Sequence, residues 1–201
     1  MTYSRQWRAL VPLAAFTLLL LTPGLAIHFG LMPFAYRTYA LLAVSGLCIA
    51  LCLVSGLTFA ELGLGRPSFR EHWVGGGVLT LGLAAVMVLQ TRLFTFGSEP
   101  PVWLSFAPFY VLVSSPCQEV VCRSIPKLMI DRLQARSWVY VLYSSAVFSL
   151  IHIAYGDTAL LLNTFAVGVV WGIAYLRMRN IWPLILSHAA IGTLAFALGL
   201  A

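Results

Sequence analysis

Seven long apolar stretches dominate the sequence, with short polar connections between them. The hydrocarbon core of a bilayer is about 30 Å thick, and an α-helix needs roughly 20 apolar residues to cross it. Each stretch reaches or approaches that length, so the pattern predicts an all-α, polytopic transmembrane helix bundle with about seven spans. The predicted spans are residues 7–29, 36–57, 73–90, 102–125, 138–153, 159–176 and 181–200.

The composition excludes the other common classes of protein. Hydrophobic residues make up 61% of the chain and charged residues 9%, whereas a soluble domain has roughly 25% charged residues. Disordered chains combine low hydrophobicity with high charge and are excluded as well. The net charge of +6 comes from scattered arginines, so we expect no nucleic-acid partner. We expect one multi-pass membrane domain over residues 1–201, with the lipid bilayer as its surroundings.

The distribution of basic residues predicts the orientation in the membrane. With the N-terminus in the cytoplasm, nine Lys and Arg residues fall on the inner side and two, Arg37 and Arg92, on the outer side. Cytoplasmic loops are enriched in Lys and Arg, so we expect a cytoplasmic N-terminus and an external C-terminus. The nine inner residues are Arg5, Arg8, Arg66, Arg70, Lys127, Arg132, Arg136, Arg177 and Arg179.

Ionisable residues inside the predicted spans mark a candidate site. Inserting one into hydrocarbon costs at least about 2.5–3.5 kcal/mol, so each needs a reason. Glu119 and Arg123 lie on the fourth span, His152 on the fifth and His188 on the seventh, and Gln118 adds a large polar neighbour. We expect the bundle to bring these groups together in its interior.

Two interpretations of these polar residues stay open from spacing alone. Glu119 and Arg123 are four residues apart and can pair on one helix face, which would brace the helix without any chemistry. Pro116 permits a bend just before them. Each histidine could be a satisfied structural residue, or a base, donor or ligand.

Cys117 and Cys122 lie on either side of Gln118 and Glu119 in the sequence, and their role is also open. Cysteines in apolar runs are usually small packing residues. A Cys–His nucleophile is chemically possible, but it needs a lowered thiol pKa. An apolar environment opposes that lowering unless Arg123 or an imidazolium lies close.

The same residues resemble a known family. Their order is similar to the CPBP family of intramembrane endopeptidases, which includes the CAAX prenyl endopeptidases and the bacterial Abi proteins. The family pattern is Glu-Glu-x-x-x-Arg, then Phe-x-x-x-His, then His-x-x-x-Asn on successive helices. The resemblance covers residues 110–192 and is carried by Gln118, Glu119, Arg123, Phe148, His152 and His188.

The resemblance implies hydrolysis of a peptide bond near the C-terminus of a membrane-associated protein substrate. It implies an enzyme without a cofactor or metal, in a bacterial inner membrane. A water would be activated by the residue at position 118 together with a histidine, His152 or His188. Arg123 would brace Glu119, and the residue at 192 would help to hold the oxyanion.

Two departures from the family pattern affect the implied chemistry. Gln118 replaces the first glutamate, and an amide cannot act as a general base. Gly192 replaces the asparagine and has no donor; losing an oxyanion donor typically costs about 2.7–4 kcal/mol. Ser187, Thr193 or a backbone amide could replace it. We expect this chain to be inactive or very weak.

Three explanations of Gln118 stay open. It can be a deliberate Glu-to-Gln change that traps a structure, which we favour; the mark of a natural inactive relative; or a sign that Glu119 has become the base. Two other functions also remain: a metal-dependent protease with Glu119, His152 and His188 as ligands, and a membrane chaperone or immunity protein that binds a tail without cutting it.

Helix arithmetic exposes a mismatch in depth. At 1.5 Å per residue, His188 lies about 10 Å and Gln118 about 13 Å from the inner boundary, but His152 lies about 20 Å from it. The three side chains can meet only if the fifth helix begins deeper in the cytoplasm or if its end is tilted or unwound.

Overall fold

The computed structural model describes residues 3–93 and 101–200, with side chains from Leu10 onward. The described part of the chain is helical and contains no β-strand, which confirms the predicted all-α fold. Arg5 and Arg8, on which the predicted orientation partly depends, have side chains outside the described residues. The α-helices are α1 Tyr3–His28, α2 Arg37–Val54, α3 Gly75–Leu93, α4 Trp103–Phe109, α5 Ser115–Glu119, α6 Ile125–Arg132, α7 Ser137–Leu150, α8 Thr158–Met178 and α9 Trp182–Ala197.

Short irregular helices join several of these elements, so residues 3–93 and 101–200 form seven helical segments. Single 3₁₀ turns precede α2 and follow α7, at Phe34–Tyr36 and Ile153–Tyr155. A π-helix, Phe69–Val74, leads into α3. Two more π-helices, Tyr110–Ser114 and Val120–Ser124, join α4, α5 and α6 into one helix over residues 103–132.

Five of the helical segments are long and apolar enough to cross a bilayer, which makes this an integral membrane protein. They are Leu10–His28, Phe34–Val54, Phe69–Leu93, Ser137–Tyr155 and Thr158–Met178. The other two are the interrupted helix 103–132 and the 16-residue α9. These two carry most of the buried polar residues in the predicted site.

Prolines explain why the helix 103–132 widens twice. Pro116 and Pro126 each stand in the first turn after a π-helix, and a proline has no N–H for the usual helical bond. At both places the residue before the proline bonds five residues back: Ser115 N–H to the Tyr110 carbonyl and Ile125 N–H to the Val120 carbonyl. The bend that Pro116 predicts is thus a change of helix type.

Close packing of α7 on α8 depends on small residues. A Cβ on Gly168 would lie 3.0 Å from Ser145 Cα, and one on Gly172 would lie 3.5 Å from Val141 Cγ1. The helix backbones approach because these positions have no side chain, as the small-residue spacing of Gly168 and Gly172 predicts. This contact places Trp171 of α8 beside Phe148 of α7.

The connection between α2 and α3, residues 55–68, is fastened to the second half of the chain, and we call it the clamped loop. Four of its backbone carbonyls accept hydrogen bonds from residues far along the sequence. The bonds are Ser124 Oγ to Leu62 O at 2.7 Å, Ile181 N to Gly63 O at 2.9 Å, Trp182 Nε1 to Leu64 O at 3.3 Å and Asn180 Nδ2 to Gly65 O at 2.9 Å.

Helix boundaries differ from the predicted ones in two places. The polar connection predicted for residues 58–72 is shorter, because a helix already begins at Phe69. The fifth span ends as an α-helix at Leu150, and His152 stands in the turn that follows. The end of this helix is therefore unwound, one of the two conditions that the depth mismatch required.

Candidate active site

A cavity of about 510 Å³ lies among the helices and is lined by three of the five predicted polar residues. Apolar side chains from the first three helices, including Leu20, Val44 and Met87, form much of its lining. Polar residues line it too: Tyr110, Ser114, Gln118, His152 and His188 come from helix 103–132, from the turn after α7 and from α9, and Arg37, Gln90, Asn163 and Thr164 come from α2, α3 and α8. We call Tyr110, Gln118 and His152 the cavity wall.

Gln118 is held by one end of its amide. Its Nε2 donates to Ser114 Oγ at 2.8 Å, one turn earlier on the same helix. Its Oε1 is buried and has no hydrogen-bond partner among the described residues. Seven buried side-chain atoms in the described part of the chain share that condition, and Gln118 is the cavity-lining residue among them. Native proteins rarely leave such atoms unpaired, so each calls for an explanation.

Glu119, Arg123 and Ser144 form a fully buried group behind the cavity, which we call the buried cluster. Arg123 Nε lies 3.6 Å from Glu119 Oε2, the pair that the four-residue spacing predicts. Arg123 Nη1 donates to Ser144 Oγ at 2.9 Å, and Ser144 Oγ donates to the Cys122 carbonyl at 2.6 Å. Neither Glu119 nor Arg123 lines the cavity.

Aromatic rings enclose the charge of Arg123. Its guanidinium carbon lies 4.6 Å from the centre of the Phe148 ring and 5.9 Å from that of Trp171. A cation over an aromatic face is attracted by the negative potential of the ring. Phe148, the first residue of the Phe-x-x-x-His pattern, thus contacts the arginine of the preceding pattern.

His188 connects the buried cluster to the cavity. Its Nδ1 lies 2.8 Å from Glu119 Oε1, and an ionised carboxylate can only accept, so the ring donates there. This leaves Nε2 as the acceptor of the neutral imidazole. The ring stacks on Trp171, with centroids 4.8 Å apart and planes 28° apart.

His152 reaches the same cavity from the turn after α7. Its Nδ1 lies 2.7 Å from the Phe148 carbonyl, so Nδ1 donates and Nε2 is again the acceptor. The Phe148 ring packs edge-on against both imidazoles, at centroid distances of 5.0 Å to His152 and 5.3 Å to His188. The two histidines therefore share one aromatic neighbour and one cavity.

The cysteines lie apart from this arrangement. Cys122 is fully buried and Cys117 is half-buried, both are free thiols, and neither lines the cavity. For a possible metal site, the residues described contain no group of three or more His, Cys, Asp and Glu side chains that could hold an ion. Glu119, His152 and His188 are thus not arranged as a ligand set in this structure.

Sequence reasoning missed three residues that complete the site. Ser144 anchors Arg123, Trp171 stacks on His188 and donates to Ser187 Oγ at 3.1 Å, and Tyr110 stands at the cavity next to Gly192. Helical spacing offered a weak signal for two of them. Ser144 precedes Phe148 by four residues, and Tyr110 precedes Gln118 by eight, so each shares a helix side with a predicted site residue.

Comparison with known proteins agrees with the motif-bearing region. Residues 100–194 match the family model described as type II CAAX prenyl endopeptidase Rce1-like. That interval contains residues 110–192, where the motifs lie, and it confirms the family to which they pointed. Neither a curated protein nor a solved structure matches the chain.

Proposed function

We propose, from the membership of residues 100–194 in the Rce1-like family of type II CAAX prenyl endopeptidases, that the chain is built as a glutamate-dependent intramembrane endopeptidase. Its substrate is a membrane-anchored protein that is cut near its C-terminus, and we place it in a bacterial inner membrane. One observation supports this most: Gln118 and His188, from two helices, and His152, from the turn after α7, line the same cavity.

The proposed chemistry needs a carboxylate at position 118. A water held between that carboxylate and the acceptor Nε2 of His152 or His188 attacks the scissile carbonyl carbon, and its proton passes to the carboxylate. The electron pair of the carbonyl moves onto its oxygen. When this intermediate collapses, the C–N bond breaks and the proton goes to the amine nitrogen. Gln118 keeps nearly the shape of glutamate but cannot take that proton, so this chain is expected to be inactive or very weak.

Glu119 is a poorer candidate for the base. Its carboxylate accepts from His188 at one oxygen and faces Arg123 at the other. Both partners engage its oxygens and hold the carboxylate away from the cavity. Its position suits it to orient His188 and to fix the protonated nitrogen of that ring.

The shape and chemistry of the cavity support a membrane-anchored substrate. Its lining is largely apolar and is drawn in large part from helices that span the bilayer, and Gln118, His152 and His188 lie on it as well. An apolar tail can occupy the greater part of such a cavity without losing hydrogen bonds to water. The peptide bond attached to it then lies beside the imidazoles.

The decisive experiment compares the present chain with its Gln118→Glu variant, purified in detergent, on a farnesylated CAAX peptide and on a peptide with a C-terminal apolar tail. A general base contributes about 100- to 10,000-fold, so we expect product from the glutamate variant and none, or a hundredth as much, from the present chain. Gln118→Met is the matched control, because it has similar length and cannot accept a proton. Equal cleavage by all three, or none by any, contradicts the proposal.

A second candidate is a non-catalytic membrane chaperone or immunity protein of the same fold. The amide at position 118, bound to Ser114, is the observation that favours it. In that case both the present chain and its Gln118→Glu variant retain a tailed peptide, measured by fluorescence anisotropy, and neither releases a product.

A further inference from the structure

Tyr110 and Gly192 compete for one volume at the edge of the cavity. A Cβ built on Gly192 would overlap the Tyr110 hydroxyl and would lie 2.7 Å from its Cε1. The three atoms nearest to that Cβ all belong to the Tyr110 phenol. The phenol from helix 103–132 therefore stands where a side chain from α9 would otherwise begin.

Neighbouring rings fix the direction of this phenol. Phe106 stacks on it with centroids 5.1 Å apart and planes 20° apart. Phe196 of α9 packs edge-on at 5.8 Å, and His188 does so at 5.9 Å. Because three rings surround it, the phenol is held at the cavity, with its ring next to the imidazole of His188 and its hydroxyl against Gly192.

The other side-chain donors of α9 are turned elsewhere. Ser187 Oγ accepts from Trp171 Nε1 at 3.1 Å and is not part of the cavity lining. Thr193 Oγ1 is buried without a hydrogen-bond partner among the described residues, and Thr193 does not line the cavity either. Tyr110, by contrast, lines it together with Gln118 and both histidines.

We propose that Tyr110 is a catalytic residue whose hydroxyl donates a hydrogen bond to the oxyanion formed during hydrolysis. This inference rests on the proposed function. When the water oxygen bonds to the carbonyl carbon, the carbonyl electron pair moves to oxygen, and the phenol stabilises that charge while keeping its proton. The missing side chain at Gly192 is then the condition that admits the donor, and the two positions act as one unit.

The first experiment measures cleavage kinetics in the Gln118→Glu background. Tyr110→Phe keeps the ring and removes the donor, so we expect kcat to fall about 100- to 1,000-fold with little change in KM. Tyr143→Phe is the matched control: its hydroxyl lies 2.6 Å from Thr17 Oγ1 and its ring is outside the cavity lining. An unchanged kcat in Tyr110→Phe overturns the inference and leaves the proposed function intact.

An exchange of the two side chains tests whether the positions act as a unit. Tyr110→Ala alone should lose activity in the same background, and Tyr110→Ala with Gly192→Asn should regain at least about 10-fold of it, since the space is then free for an amide donor on α9. Tyr110→Ala with Gly192→Leu fills the space without a donor and should regain nothing. Equal recovery by both double variants overturns the inference.

A binding experiment keeps this inference separate from the cleavage assay. The present chain is titrated with a farnesylated peptide phosphonate, whose anionic oxygens stand in for the oxyanion, and with the corresponding peptide amide. Tyr110→Phe should weaken the phosphonate about 10-fold or more and leave the amide unchanged. Equal effects on both ligands overturn the role of Tyr110. If the phosphonate loses affinity as expected but the Gln118→Glu variant cleaves nothing, the proposed function fails and the catalytic role of Tyr110 fails with it, which leaves only an anion contact at its hydroxyl. If neither ligand binds, both fail.

Discussion

The buried cluster and the cavity wall include adjacent residues of one helix, Glu119 and Gln118, but the two groups differ in charge and in exposure to the cavity. Glu119 and Arg123 are fully buried, and each faces an opposite charge. Gln118, one residue earlier, is neutral and has a carbonyl oxygen without a partner. The two charges are thus paired with each other at 3.6 Å, although Glu119 Oε2 and Arg123 Nε also lack a hydrogen-bond partner among the described residues. The unpartnered acceptor at the cavity belongs to Gln118, which bears no charge.

This difference predicts that the buried cluster contributes mainly to stability and the cavity wall mainly to catalysis. Removing one partner of a buried ion pair is strongly destabilising, because the other charge stays uncompensated. A group with a free atom at a cavity contributes less to stability and is available to a ligand. We therefore expect substitutions in the buried cluster to lower mainly the free energy of unfolding, and substitutions on the cavity wall to lower mainly the rate of cleavage.

The largest expected effect is kinetic and falls on the cavity wall. His152→Ala in the Gln118→Glu background should lower kcat/KM about 100- to 10,000-fold, because it removes a nitrogen that holds the attacking water beside the general base. The free energy of unfolding should change by only about 1 kcal/mol, for the single hydrogen bond to the Phe148 carbonyl. Peptide cleavage and denaturant titration in micelles measure the two quantities. A large loss of stability with unchanged turnover per folded molecule would reverse the comparison.

Arg123→Met tests the buried cluster. It leaves Glu119 without its opposite charge, so we expect the free energy of unfolding to fall by about 3–5 kcal/mol. The double variant Glu119→Gln with Arg123→Met removes both charges and should lose less than Arg123→Met alone. Arg136→Met, at an exposed arginine, is the control. If the double variant is the less stable of the two, pairing of charge is not what holds this region.

Ser144→Ala is a milder change in the same cluster. It removes the hydroxyl that accepts from Arg123 Nη1 and donates to the Cys122 carbonyl. A hydrogen bond to a charged group contributes about 1.5–3 kcal/mol, and we expect a loss of stability of that size in denaturant titration. Ser145→Ala, one residue on and bonded only to its own helix at Val141 O, should lose less.

Glu61 supplies a reference carboxylate in the clamped loop, outside the membrane spans, and has the smallest expected effect. The Thr58 backbone N–H and then its hydroxyl donate to the Glu61 carboxylate and lower its pKa. The stabilisation is therefore present above the pKa of the unfolded chain and is lost as the pH falls through the lower pKa of the folded one. Thr58→Val should raise the Glu61 pKa in a carboxyl NMR titration. A Glu61→Gln variant as unstable as Arg123→Met would show that burial does not set the two regions apart.

Sequence reasoning located the helices, and the three polar residues that line one cavity (Gln118, His152 and His188), better than it described the contacts between them. Apolar length predicted seven helical segments, since spanning a bilayer imposes a minimum length on each. The depth mismatch for His152 pointed to an irregular helix end, and α7 does stop at Leu150. Both results depend on distances along one helix, which a sequence pattern contains.

The side-chain contacts of the site depend on how the helices are positioned relative to one another, and a local sequence pattern does not predict that. Pro116 predicts a bend, but a π-helix rotates every later residue relative to the earlier ones, so the direction of Gln118 depends on how Tyr110–Ser114 widens. Gly192 looks like a missing donor in the sequence. In the structure the Tyr110 ring, 82 residues earlier, fills its place, and only the packing of two distant helices reveals this exchange.

The clamped loop determines whether the second half of the chain can be expressed without the first half. Similarity to the family begins at residue 100, yet Ser124 and Ile181 donate to carbonyls of the loop at Leu62 and Gly63. A fragment expressed from residue 100 onward would keep these donors and lose their acceptors, along with the helices that close one side of the cavity. We expect such a truncated chain to misfold and to be degraded by cellular quality control. The part of the chain that is similar to the family is shorter than the part that has to fold together.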